Sequence, residues 1–129
     1  MQPVFLAEEA IRREDGFSSP IPIDPQKSPS IAVTLGITRI IEQESLEVAL
    51  YLSHDGETWD KKPVRSFPQK FYCGTYTLIL DLSPYPDARF LRAGWKMNRW
   101  GRGEPTPLFS FYIFAVPLAV PELAATASG

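Results

Sequence analysis

Apolar and polar residues alternate with a period of two through most of the chain. Ile31, Val33, Leu35 and Ile37 alternate with Ala32, Thr34 and Gly36. Leu46, Val48, Leu50 and Leu52 then alternate with Glu47, Ala49, Tyr51 and Ser53. Successive side chains of an extended strand point to opposite faces, so each run predicts a strand with one buried face. A short strand is expected over residues 64–67, ended by Pro68, and a longer one carries Tyr76, Leu78, Leu80 and Leu82. Residues 89–98 place Leu91, Ala93, Trp95 and Met97 on one side. Residues 108–116 are apolar on both sides, which predicts a central strand covered on both faces.

Between these runs lie turn signals. Asp55-Gly56 follows the second strand and supplies the positive φ that a tight reversal needs. Residues 39–45 read as a connecting turn, and Ser83-Pro84-Tyr85-Pro86-Asp87 as another. Six strands spaced by about 10–15 residues are the pattern of an all-β, antiparallel β-sandwich.

Residues 1–29 differ from the rest. Phe5, Leu6, Ala10 and Ile11 fit one face of a short helix, with Glu8, Glu9, Arg12 and Arg13 on the other. Prolines at 20, 22, 25 and 29 follow. Each lacks an amide donor and forces its predecessor into an extended conformation. The expected organisation is an extended proline-rich N-terminal arm over residues 1–29, a sandwich domain over 30–117 and a C-terminal tail over 118–129.

Composition narrows the functional classes. The 129 residues suffice for one domain with a real core, and a net charge of −2 gives no reason to expect nucleic acid or an anionic membrane. Thirteen prolines, about twice the average usage of roughly 5%, argue against long helices. The single cysteine, Cys73, allows no intrachain disulfide and fits a reducing compartment. Neither a secretory leader nor an apolar run long enough to span a membrane is seen, so a cytoplasmic location is expected.

No catalytic set is legible. His54 is the only histidine, and Ser53, His54 and Asp55, adjacent on a turn, cannot face one another as a triad. Cys73 reads as a small buried apolar residue. The carboxylates are scattered, no phosphate-binding loop is present, and no metal or cofactor is expected.

The distinctive stretch is residues 89–103, where Arg89, Arg92, Lys96, Arg99 and Arg102 interleave with Trp95 and Trp100 and no acidic residue intervenes. Read structurally, Trp95 is core, Arg89 and Arg92 pair with carboxylates on a sheet face, and Trp100 plugs one end of the sandwich. Read functionally, Arg99, Trp100 and Arg102 form a recognition edge in a glycine-flanked loop. Trp and Arg dominate protein interfaces, and the same pair can stack a sugar ring and fork an anion.

Three stretches resemble the discoidin family, also called the coagulation-factor type C domain, over about residues 30–100. They are SIAVTLGI, LYLSHDGETW with Ser53, Asp55, Gly56 and Trp59, and DARFLRAGWKMN with Ala88, Arg89, Phe90, Leu91 and Arg92. The resemblance implies a galactose-binding-like jelly roll that binds carbohydrate or lipid head groups or holds proteins together. Ligand choice in that family lies in loops, and no binding residue is carried over from it.

The expected function is a non-enzymatic interaction module, a subunit or adaptor contacting a protein partner through the N-terminal arm and the loop at 99–102. The alternative is a carbohydrate-binding module, with Trp100, Trp59 and Tyr85 as stacking platforms for a glycan.

Overall fold

The computed structural model describes residues 2–41, 43–100 and 106–118. Among them are nine strands: β1 (Val4–Arg12), β2 (Gly16–Phe17), β3 (Ile21–Pro22), β4 (Ser30–Ile40), β5 (Glu44–Ser53), β6 (Arg65–Ser66), β7 (Gly74–Asp81), β8 (Phe90–Arg99) and β9 (Phe109–Leu118). They form two antiparallel sheets. One has the order β1-β9-β4-β7; the other runs β2-β8-β5-β6, with β3 also on β8. Among the described residues no helix is long and apolar enough to cross a membrane.

The alternation places the core. Ile31, Val33, Leu35 and Ile37 of β4 and Phe109, Phe111, Ile113 and Ala115 of β9 are buried from one sheet. Leu46, Val48, Leu50, Leu91, Ala93 and Trp95 are buried from the other. The Trp95 ring meets Phe111 edge-on at 5.4 Å between centroids, joining the two layers. Arg12 adds to this contact. Its guanidinium donates to the carbonyls of Phe111 and Glu8, each at 2.8 Å, and lies over the Trp95 and Phe111 rings. Burial pushes its pKa below the ordinary arginine value.

Residues 1–29 depart most from expectation. The short helix predicted around residues 5–11 is instead strand β1, paired with β9 from Val4↔Ala115 to Arg12↔Phe109. An isolated segment of this length is marginal as a helix, whereas the open edge of β9 offers a row of unpaired backbone groups. Two register shifts, between Phe5 and Ala7 and between Ala7 and Ala10, absorb the mismatch in periodicity.

The proline-rich segment also meets its own domain. β2 pairs with Trp95 and Gly94, and β3 with Leu91 and Phe90. Pro20 interrupts the two because it has no amide to donate, so each pairing is two residues long. Ser18 bridges the gap: its amide donates to the Ala93 carbonyl and its hydroxyl accepts the Ala93 amide. Ile21 and Ile23 are buried beneath it.

Strand β9 is central, between β1 and β4, as its composition predicts. Its coverage differs from the expectation. Phe109, Phe111, Ile113 and Ala115 are buried, but Ser110, Tyr112, Phe114 and Val116 on the other face are only half-buried.

Candidate functional site

Of the five residues singled out in the sequence, the four that are described fall in three places, Arg99 and Trp100 together. Arg99 ends β8 opposite Glu44, the first residue of β5. Trp100 follows, its amide donating to the Gln43 carbonyl at 3.0 Å. Trp59 and Tyr85 lie elsewhere, and Arg102 falls outside the described residues.

At the Arg99 end the sandwich exposes large aromatics. Trp100 is 53% exposed, Phe71 43% and Tyr72 76%. Trp100 and Phe71 meet edge-on at 6.1 Å. With Ile40 and Ile41 they line a hollow of about 330 Å³. Trp100 therefore stands at the end of the sandwich as expected, but on its surface rather than as a plug. Glu44 fixes the base of this end. It is buried, and its two carboxylate oxygens accept the amides of Ile41 at 3.0 Å and Leu108 at 2.9 Å. One side chain thus ties the β4–β5 turn to the segment entering β9.

Cys73 lies close by in sequence and is exposed, not buried as its apolar neighbours implied. It precedes β7, where the chain has not yet entered the sheet.

The hairpin tip lies at the opposite end of β5 and β8. Gly56 has φ of 80°, as the Asp-Gly turn requires. Asp55 accepts the amides of Thr58 and Glu57 at 2.7 and 2.8 Å and the Ser53 hydroxyl at 2.9 Å, and its second oxygen accepts the Thr58 hydroxyl at 3.0 Å. The amides of Thr58 and Glu57, then the Ser53 hydroxyl, hold its carboxyl far below the ordinary value of 3.8. Ser53 accepts the Gly56 amide at 2.9 Å. His54 is 70% exposed and its Nε2 lies 3.9 Å from Asp55. Through these bonds Ser53 and Asp55 hold the turn in place. Tyr85, with His54, Thr58 and Asp60, lines a shallow hollow of about 320 Å³ here.

Trp59 belongs to a third place, the outer face of the sheet holding β5 and β8. Its ring lies 4.4 Å from the Arg92 guanidinium, and the Phe17 ring lies 4.1 Å from the same group. Arg92 is therefore clamped between two aromatic rings. It meets no carboxylate among the described residues, contrary to the pairing expected of it, and its buried Nε has no hydrogen-bond partner there. Arg89 likewise turns to backbone, donating to the Pro86 and Ala88 carbonyls at 2.8 Å.

Beside the clamp the register aligns Gly94, Ala49 and Ser66 across three strands. This row of small residues forms the floor of a cleft of about 450 Å³ walled by Phe17, Tyr51, Lys61, Pro63, Glu47 and Lys96. Phe17 and Tyr51 meet edge-on at 5.9 Å, and both rings sit over Gly94. Phe17, Tyr51 and Arg92 were not marked as site residues in the sequence. The available signal was Gly94, because a glycine inside a strand marks a close approach by another group.

The arrangement offers stacking surfaces, one clamped cation and mixed charge. Among the described residues no three His, Cys, Asp or Glu side chains gather to hold a metal ion. Compared with known proteins, the chain matches no family model, no curated protein and no solved structure.

Proposed function

We propose that this chain is a non-enzymatic β-sandwich interaction module that contributes protein–protein contacts as a subunit or adaptor of a larger assembly. The supporting observation is the end patch of Phe71, Tyr72 and Trp100, all more than two-fifths exposed and gathered around one hollow. Rings of this size in water at neighbouring positions are the anchors that partner proteins bury. Arg99, ending β8 beside the patch, supplies a cationic rim. Affinity capture from native extract, comparing wild type with Trp100→Ala and Phe71→Ala, tests the reading. A stoichiometric protein partner is expected, reduced at least tenfold by either substitution. No partner, or one indifferent to both changes, refutes it.

A second reading, a discoidin-like jelly roll that binds carbohydrate, is favoured by the aromatic group of Trp59, Phe17 and Tyr51 next to a polar-walled cleft. Sugar rings stack on aromatic faces while their hydroxyls bond to charged side chains. Calorimetric titration with neutral and acidic oligosaccharides separates the two. Binding lost in Trp59→Ala and retained in Trp100→Ala assigns the glycan to the cleft; no heat with any oligosaccharide removes this reading.

A further inference from the structure

We infer that the outer face of the β1-β9-β4-β7 sheet is a self-association surface that packs against the same face of a second copy of this chain. The inference goes beyond the end patch, which the face does not include.

The starting point is β9. Its sequence is that of a strand buried on both faces, yet the described residues cover one face only. Across the other face the register lines up three rows: Val116–Ala32–Ile79, Phe114–Thr34–Thr77 and Tyr112–Gly36–Thr75. None of these nine positions is Asp, Glu, Lys or Arg. Phe5 extends the middle row, paired with Phe114 and with its ring 4.7 Å away. Phe5 is 45% exposed and Ile79 47%. A sheet face in water ordinarily carries charged side chains among its polar ones, so three adjacent rows without a charge mark a contact surface.

Two properties point to a second copy as the occupant. The first is charge. A partner of opposite sign would be recognised by an ionic pattern, and these three rows have none, so they meet their own twin without repulsion; Asp81, paired with Ser30 in the next row, lies at the margin of the face.

The second is shape. The bulky residues Phe5, Tyr112 and Phe114 lie on β1 and β9, whereas Ala32, Thr34, Gly36, Thr75 and Thr77 give β4 and β7 a lower surface, on which Ile79 is the one large side chain of the three rows. A twofold axis lying between the two molecules and parallel to the strands exchanges left and right. The bulky half of each copy then lies over the low half of the other. An axis across the strands would set bulk against bulk, so the sequence selects the first arrangement.

Size permits it. Four strands about 4.8 Å apart and some eight residues long, with the Leu118–Ser30–Asp81 row at one end, present a face roughly 19 Å by 27 Å. Two such faces bury about 1,000 Å², the lower bound for a specific interface. Sheets packed in this way lie about 10 Å apart with strands within about 30° of parallel.

The test is sedimentation equilibrium of the full chain at micromolar concentrations, with Thr77→Arg and Ile79→Lys. Both side chains are exposed, so circular dichroism should show either variant folded. A wild-type dimer is expected, with its dissociation constant raised at least tenfold by each change and unchanged in Trp100→Ala. Isotope-filtered NMR on mixed labelled and unlabelled wild-type chains provides the measurement that needs no variant. Contacts between copies at the Ile79 and Val116 methyls support the inference. A wild-type monomer at 100-fold higher concentration overturns it, including a monomer whose face is protected by its own residues 119–129. A dimer that survives both substitutions overturns it as well. Because purified protein is used, failure here leaves the end-patch reading standing, and loss of the extract partner leaves this one standing.

Discussion

The ring of Tyr112 rests on Gly36, filling the space that a β-carbon at residue 36 would need. The two are register partners on β9 and β4 in the middle of a sheet. A methyl group there must displace the ring, the backbone or both. Gly36→Ala is expected to cost about 1–3 kcal/mol, the range for overpacking a fitted site. Combining it with Tyr112→Ala should recover part of the loss, and urea unfolding of the double-mutant cycle measures the coupling.

Gly94 seats Phe17 in a similar way but on the surface. A β-carbon at 94 would lie 2.7 Å from Phe17 Cε1, at the far end of an exposed side chain. Phe17 can swing away, so Gly94→Ala should cost less stability than Gly36→Ala. It should also release one side of the Arg92 clamp. Arg92→Ala removes the cation from both rings and is expected to cost about 1–2 kcal/mol, two partly desolvated cation–π contacts. Arg92→Lys should restore little, because an ammonium lacks the planar faces that stack. The emission wavelength of Trp59 in variants with Trp95 and Trp100 replaced by Phe reports whether its ring stays packed.

Glu44 is the buried carboxylate on which one end of the sandwich depends. Glu44→Ala leaves the amides of Ile41 and Leu108 without their acceptor. A loss of about 2–4 kcal/mol is expected from two unsatisfied donors. Glu44→Gln keeps one accepting oxygen and should lose about half as much. Hydrogen exchange at these two amides should rise in the alanine variant well before it rises in the core of β4.

Asp55 sets an acid limit on the hairpin tip. Its folded pKa is depressed below the ordinary 3.8 by the Thr58 and Glu57 amides and the Ser53 hydroxyl. A depressed acid stabilises the fold above its unfolded pKa, and that contribution is lost as pH falls from about 3.8 towards the folded value. Asp81 acts in the same direction, held low by the Ser83 hydroxyl and then the Ser83 amide. The melting temperature of Asp55→Asn should therefore lie below that of wild type at pH 6. The gap should narrow as the pH is taken below about 3.8.

Cys73 should react in the folded protein. Its exposed thiol is expected to take one equivalent of maleimide without denaturant. Reaction only after addition of guanidinium would show the side chain buried.

The sequence by itself determined the all-β class and the position of strands β4 to β9. Period-two alternation is a local property: Leu46, Val48, Leu50 and Leu52 must share a face wherever the strand is placed. It also fixed the Asp55-Gly56 turn, because few other residue pairs accept that backbone. Tertiary structure decided what alternation cannot express. Residues 5–11 read as a short helix, and the open edge of β9 makes them strand β1 instead. Arg92 reads like any basic residue of a strand until Phe17, from 75 positions away, and Trp59 close over it. The site residues proved hardest to read for the same reason. Trp59, Tyr85 and Trp100 are legible as candidate stacking aromatics, but that Trp59 is half-buried while the other two are exposed, and which neighbours each one meets, depends on strand order and register. Those arise only when the two sheets form and pack.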